Sequence, residues 1–149
     1  MAYKITTETG LEEFEIEFAD RGITEIIKFN PFDMDLPKRL FEAQKTIEEK
    51  VKEVKKIDVD ENGMPGADEC AEYLNSINKI VYDAIDYAYG NKISDVVFKY
   101  CGPFAIIKDE YYIWSFMEKT GKVLEPIIAQ TREKANAKLN KHIKKYLKR

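Results

Sequence analysis

An α+β fold that is predominantly α-helical is what this sequence predicts: an N-terminal antiparallel β-hairpin packed on a bundle of three to four helices, the last of them long. Three observations carry the expectation. Residues 14–18 alternate apolar and acidic side chains, the period of a strand with one buried face. Two stretches, about 36–57 and 68–89, place apolar residues at steps of three and four, the stripe of a core-facing helix. From Asp109 the same helical spacing runs nearly to the end of the 149-residue chain.

In order, Phe14, Ile16 and Phe18 interleave with Glu13, Glu15 and Glu17. Asp20, Arg21 and Gly22 then make a turn, and Ile23–Phe29 is β-branched and aromatic enough to return antiparallel. Tyr3–Thr7 is a candidate for a short third strand. A two-stranded ribbon is barely stable alone, so its Phe and Ile face is expected to rest on the helices that follow. Asn30, Pro31, Phe32 and Asp33 end the strand, and Pro37 suits a first helical turn. The first helix carries Leu40, Ala43, Ile47, Val51, Val54 and Ile57 on one stripe, and a break follows at Asn62, Gly63, Pro65 and Gly66. The second carries Cys70, Leu74, Ile77, Val81, Ile85 and Ala88, with Gly90 placed to end it. Ser94 is the expected cap of a short third helix stopped by Gly102 and Pro103. The long fourth helix contains Gly121 and Pro126. Such a proline costs about 3 kcal/mol in a helix interior, which predicts a kink or restart near residues 121–126.

These lengths fit one domain over residues 1–149: a hairpin (1–30), a helical body (35–130) and a basic helical tail (131–149). With 44% hydrophobic and 12% aromatic residues the chain can build a core. Cys70 and Cys101 fit no metal or redox spacing, which predicts reduced thiols and a cytoplasmic protein. No segment reads as a membrane span. The net charge of −3 hides a division. Residues 130–149 hold eight cations against Glu133, a net of plus seven, so residues 1–129 carry minus ten.

Chemistry is poorly provided for. The single histidine, His142, lies among Lys141, Lys144 and Lys145 with no nucleophile to activate. Gly63 and Gly66 sit among acids that repel phosphate. Neither enzyme activity nor a cofactor is expected. Asp58, Asp60, Asn62, Gly63 and Glu69 follow the spacing of a calcium loop, but Pro65 stands where such a loop pairs through a backbone amide, and an acidic turn is the plainer reading. Between Phe98 and Phe116, Tyr100, Phe104, Tyr111, Tyr112 and Trp114 form an aromatic segment that reads as core or as an interface anchor.

The tail offers a partner-binding surface: Ile128, Ala135, Leu139, Ile143 and Tyr146 form an apolar stripe beside Lys138, Lys141 and Lys145. It reads either as a solvated helix end whose lysines complement the helix dipole or as a surface that docks on an acidic protein or a neighbouring copy; a nucleic-acid-binding regulator is the alternative, and a calcium-responsive helical protein a third. The acidic body argues against nucleic acid, and the lack of bulky apolar residues opposite the lysines argues against a membrane surface.

The acidic β-ribbon ends in I-I-K-F-N-P-F-D (Ile26–Asp33), and L-P-K-R-L-F-E-A-Q-K (Leu36–Lys45) opens the first helix. I-D-Y-A-Y-G (Ile85–Gly90), S-D-V-V-F (Ser94–Phe98) and V-L-E-P-I-I (Val123–Ile128) follow in order. Over about residues 14–130 this order resembles the tail assembly chaperones of phages and prophages of Gram-positive bacteria with long non-contractile tails. The resemblance implies a non-catalytic protein of the host cytoplasm, absent from the mature virion. It would bind the tape measure protein and keep it soluble, self-associate, and give way as the major tail tube protein, a further candidate partner, assembles.

Overall fold

The structure, a computed structural model, describes the backbone of residues 1–59 and 67–147 and the side chains of residues 1–56 and 70–145. The fold is α+β. Two strands, β1 (Glu12–Phe18) and β2 (Ile23–Phe29), precede the helices α1 (Leu36–Val59), α2 (Ala67–Tyr89) and α3 (Ser94–Val97); a two-residue pair, β3 (Ile106–Ile107) and β4 (Glu110–Tyr111), leads into α4 (Tyr112–Leu147). The chain divides into two compact units, Met1–Ile113 and Trp114–Arg149.

The first unit begins with the expected hairpin. Phe14 lies opposite Ile27 and Ile16 opposite Glu25, so one face gathers Phe14, Ile16, Phe18, Ile27 and Phe29 and the other carries Glu13, Glu15 and Glu17. The turn closes through the Arg21 N–H on the Phe18 carbonyl, 3.0 Å. Gly22 has φ +63°, a conformation that glycine adopts without steric penalty. No strand forms over Tyr3–Thr7, which corrects the third-strand expectation. The alternation there is real, but a strand needs a neighbouring edge and this chain brings none alongside.

The apolar face of the ribbon rests where α2 ends and α3 begins. Phe29 stacks on Phe14 at 4.4 Å and meets Tyr89 edge-on at 4.9 Å, while Phe18 meets Tyr100 edge-on at 4.9 Å. At the tip, the Arg21 guanidinium donates to the Tyr100 carbonyl (3.3 Å) and the Lys99 ammonium pairs with Glu25 (2.5 Å).

α1 and α2 pack as an antiparallel pair: Arg39 reaches Ala88, Glu42 accepts from Tyr87, and Glu53 accepts from Tyr73. Leu36, Ala43, Ile47 and Val54 meet Ile77, Val81, Ile85 and Ala88 as the buried stripes. Leu74, read as core, is instead 38% exposed. A stripe at steps of three and four is wider than the contact line, and its margin stays in water.

α2 ends as Gly90 (φ +70°) donates to the Tyr87 carbonyl and Asn91 to the Asp86 carbonyl, the glycine-centred stop its position predicted. Ser94 does not cap α3 as expected. It is the first helical residue, Ile93 stands at the cap position, and no cap-residue side chain bonds there. The Asp86 carboxylate accepts from the Ile93 and Ser94 amides, both 2.8 Å, and from the Ser94 hydroxyl, 2.9 Å.

α4 starts at Tyr112 rather than Asp109, because Lys108 and Asp109, at φ 50° and 68°, make the two-residue turn of the β3–β4 ribbon. The first amides of α4 are held by the Ala105 and Pro103 carbonyls at 2.8 and 3.0 Å. In the second unit α4 continues through Pro126 as one helix, so of the expected kink or restart the restart does not occur. One proline removes a single amide bond, and the turns on either side keep the helical path.

Candidate partner-binding surface

α4 is 36 residues long, about 54 Å at 1.5 Å per residue. At about 100° per residue, Ala135, Leu139 and Ile143 lie within about 80° of one another around the helix, in line with Ile128. Ile128 is half-buried, and Ala135, Leu139 and Ile143 are exposed, with Leu139 at 56% and Ile143 at 46%. Lys134, Lys138, Lys141 and Lys145 fall on one flank of that stripe, and all are exposed. The structure therefore brings together seven of the eight residues singled out from sequence. The side chain of the eighth, Tyr146, lies outside the described residues, although its helical position continues the stripe.

Among the described residues, no salt bridge involves a cation beyond residue 130; the ion pair on α4 is Lys122–Glu118 at 3.1 Å, between exposed groups four residues apart. The tail thus presents unneutralised positive charge beside apolar area. Lysines near a helix C-terminus also complement the helix dipole, worth some tenths of a kcal/mol each, which leaves their ammonium groups available to acidic ligands. Sequence reasoning missed two members of this surface. Val123 and Ile127 are 55% and 37% exposed, on the flank that the lysines occupy about two to six turns later. The signal was present as apolar residues lying off the main stripe.

The first unit is built differently. The glutamate face of the ribbon is exposed, relieved by Lys28 at 3.6 Å from Glu13. On α2, Tyr73, Ile80 and Tyr87 are exposed at intervals of seven, but both tyrosine hydroxyls donate to α1 carboxylates, which ties this face to the helix pair. The aromatic segment is largely structural: Phe98 stacks on Tyr82 at 4.7 Å, and the Tyr112 hydroxyl donates to the Val97 carbonyl at 2.8 Å. Burial pushes the Tyr112 phenol up to about 12. Between Phe98 and Tyr112 every ring is buried or half-buried, which is the core reading.

Of the calcium-loop positions, the side chains of Asp58, Asp60, Asn62 and Glu69 and the backbone of 60–66 lie outside the described residues. Among the described residues no group of three or more His, Cys, Asp or Glu side chains is arranged to hold a metal ion. Cys70 and Cys101 are half-buried thiols, and burial raises the Cys101 thiol. No helix among the described residues is long and apolar enough to cross a membrane. Comparison with protein-family models, curated proteins and solved structures finds no match.

Proposed function

We propose that this protein is a non-catalytic assembly chaperone of a long phage tail, which binds the tape measure protein through α4 and keeps it soluble until tail tube subunits assemble. One observation carries the reading: an exposed apolar stripe, Ala135, Leu139 and Ile143, lies beside exposed lysines without salt bridges among the described residues. That pairing of surfaces suits an amphipathic helix with an acidic flank. The ordered resemblance along residues 14–130 supports the same partner.

The magnitudes suit a grip that can be released. Fully burying a Leu or Ile side chain is worth about 1.5–3 kcal/mol, whereas association costs on the order of 4–15 kcal/mol in lost freedom and ordering. Two such anchors cannot hold a partner irreversibly. Binding must be spread over several turns and supplemented by charge, so competing tail components can displace it.

Co-expression with the tape measure protein of the same genome tests this directly. A soluble complex recovered by affinity capture is the expected outcome, weakened when Lys138, Lys141 and Lys145 are all changed to Glu. A partner that precipitates as it does alone, with no complex recovered, refutes the reading.

A further inference from the structure

β1 and β2 make a two-stranded sheet, and among the described residues the outer edge of β1 has no backbone hydrogen-bond partner. A free seven-residue edge is a template for another strand. Ahead of it runs a segment with a strand's pattern and no ladder: Tyr3, Lys4, Ile5, Thr6 and Thr7, with Tyr3 at 92% and Ile5 at 89% exposure. The chain between the two is tied toward β2. The Asn30 amide donates to the Thr9 carbonyl at 3.1 Å, and Gly10 passes so close that a Cβ there would stand 2.9 Å from the Asn30 Nδ2. Residues 9 and 10 are thereby held at the β2 end, not free to loop back along the outer edge of β1.

We propose that residues 3–7 of a second copy of this chain add to the outer edge of β1 as a third strand. The alternation matches on both faces. Tyr3 and Ile5 would extend the face of Phe14, Ile16 and Phe18, and Lys4 would lie on the opposite face beside Glu13, Glu15 and Glu17. A slip of one residue would set Lys4 among the phenylalanines and Tyr3 among the glutamates, so the register is specified by polarity. Reciprocal exchange of the two segments closes a two-fold dimer.

Light scattering on the full chain at about 0.1 mM, a concentration that detects weak association, should give a dimer mass. Ile5→Pro should give a monomer with unchanged circular dichroism, since proline removes a ladder donor from a segment that carries no secondary structure of its own. A monomeric parent, or a variant of unchanged mass, overturns the proposal. A second measurement assigns the donor. In a Cys70→Ser, Cys101→Ser background, chains carrying Ile5→Cys are mixed with chains carrying Phe14→Cys, Ile16→Cys or Phe18→Cys and mildly oxidised. A disulfide-linked heterodimer with one of the three is expected. No heterodimer with any of them, or a chain bearing both cysteines that closes only on itself, refutes exchange between copies. Ile5→Pro leaves α4 intact, so loss of the dimer with tape measure capture preserved separates this inference from the functional proposal.

Discussion

Asp86 serves two helices at once: its carbonyl accepts the Asn91 amide that stops α2, and its carboxylate accepts the amides of Ile93 and Ser94 that start α3. Removing the carboxylate strands two amide donors and the Ser94 hydroxyl, itself 4% exposed as a residue. Asp86→Ala should therefore cost about 2 kcal/mol, whereas Ser94→Ala should cost about 1 kcal/mol. Urea denaturation of the two variants measures the difference, and equal losses would show that the hydroxyl rather than the carboxylate holds the joint. Arg39 is a second junction, donating to the Ala88 carbonyl at 3.1 Å and to Asp33 at 2.9 Å. The Asp35 amide and then the Arg39 guanidinium hold the Asp33 carboxyl below its ordinary value. A carboxyl lower in the folded than in the unfolded chain adds stability above the unfolded value of about 4, and that contribution is lost as pH falls through the folded value. The stability gap between the parent and Asp33→Asn should accordingly shrink as pH is lowered from about 6 to about 3. A gap that stays constant in urea midpoints would contradict the assignment. Sequence placed the cap of α3 on Ser94, the nearest polar neighbour, because a partner eight residues upstream comes within reach only once Gly90 reverses the chain.

At the scale of elements, hydrophobic period located the strands and long helices well, since it records which side chains must leave water. The β3–β4 ribbon was illegible. Its turn places Lys108 and Asp109 in the left-handed region with no glycine or Asn-Gly to announce it, and two-residue strands are too short to show a period. In helix α4 propensity allowed a restart that the helix does not make. Its two weak points remain. Beyond its own helical backbone, a methyl group at Gly121 would meet no atom within 4 Å, so Gly121→Ala should stabilise the helix by about 1 kcal/mol. Pro126→Ala should contribute up to about 3 kcal/mol more locally. Hydrogen exchange along residues 118–130 measures both, and no slowing in either variant would mean that the helix carries no penalty there.

Over the whole molecule, the charge division locates the candidate surface: lysines gather on one flank of the last turns of α4, while glutamates cover one face of the ribbon. Leu139→Lys with Ile143→Lys changes only exposed positions, so thermal stability should move by no more than about 0.5 kcal/mol. Capture of the tape measure protein should fall sharply, as binding anchors are lost where folding needs none. Capture at the parental level would remove the stripe from the interface. By itself, the sequence determined the α+β class, the hairpin, the two long packed helices and the basic tail, because period and charge are local records of what must meet water. Only the tertiary structure decided that Asp86 caps α3, that Leu74 stays outside, that α4 runs on past Pro126, and that Tyr3–Thr7 is left without a neighbour. Each of those depends on which groups far apart along the chain come within reach, and no local pattern encodes that.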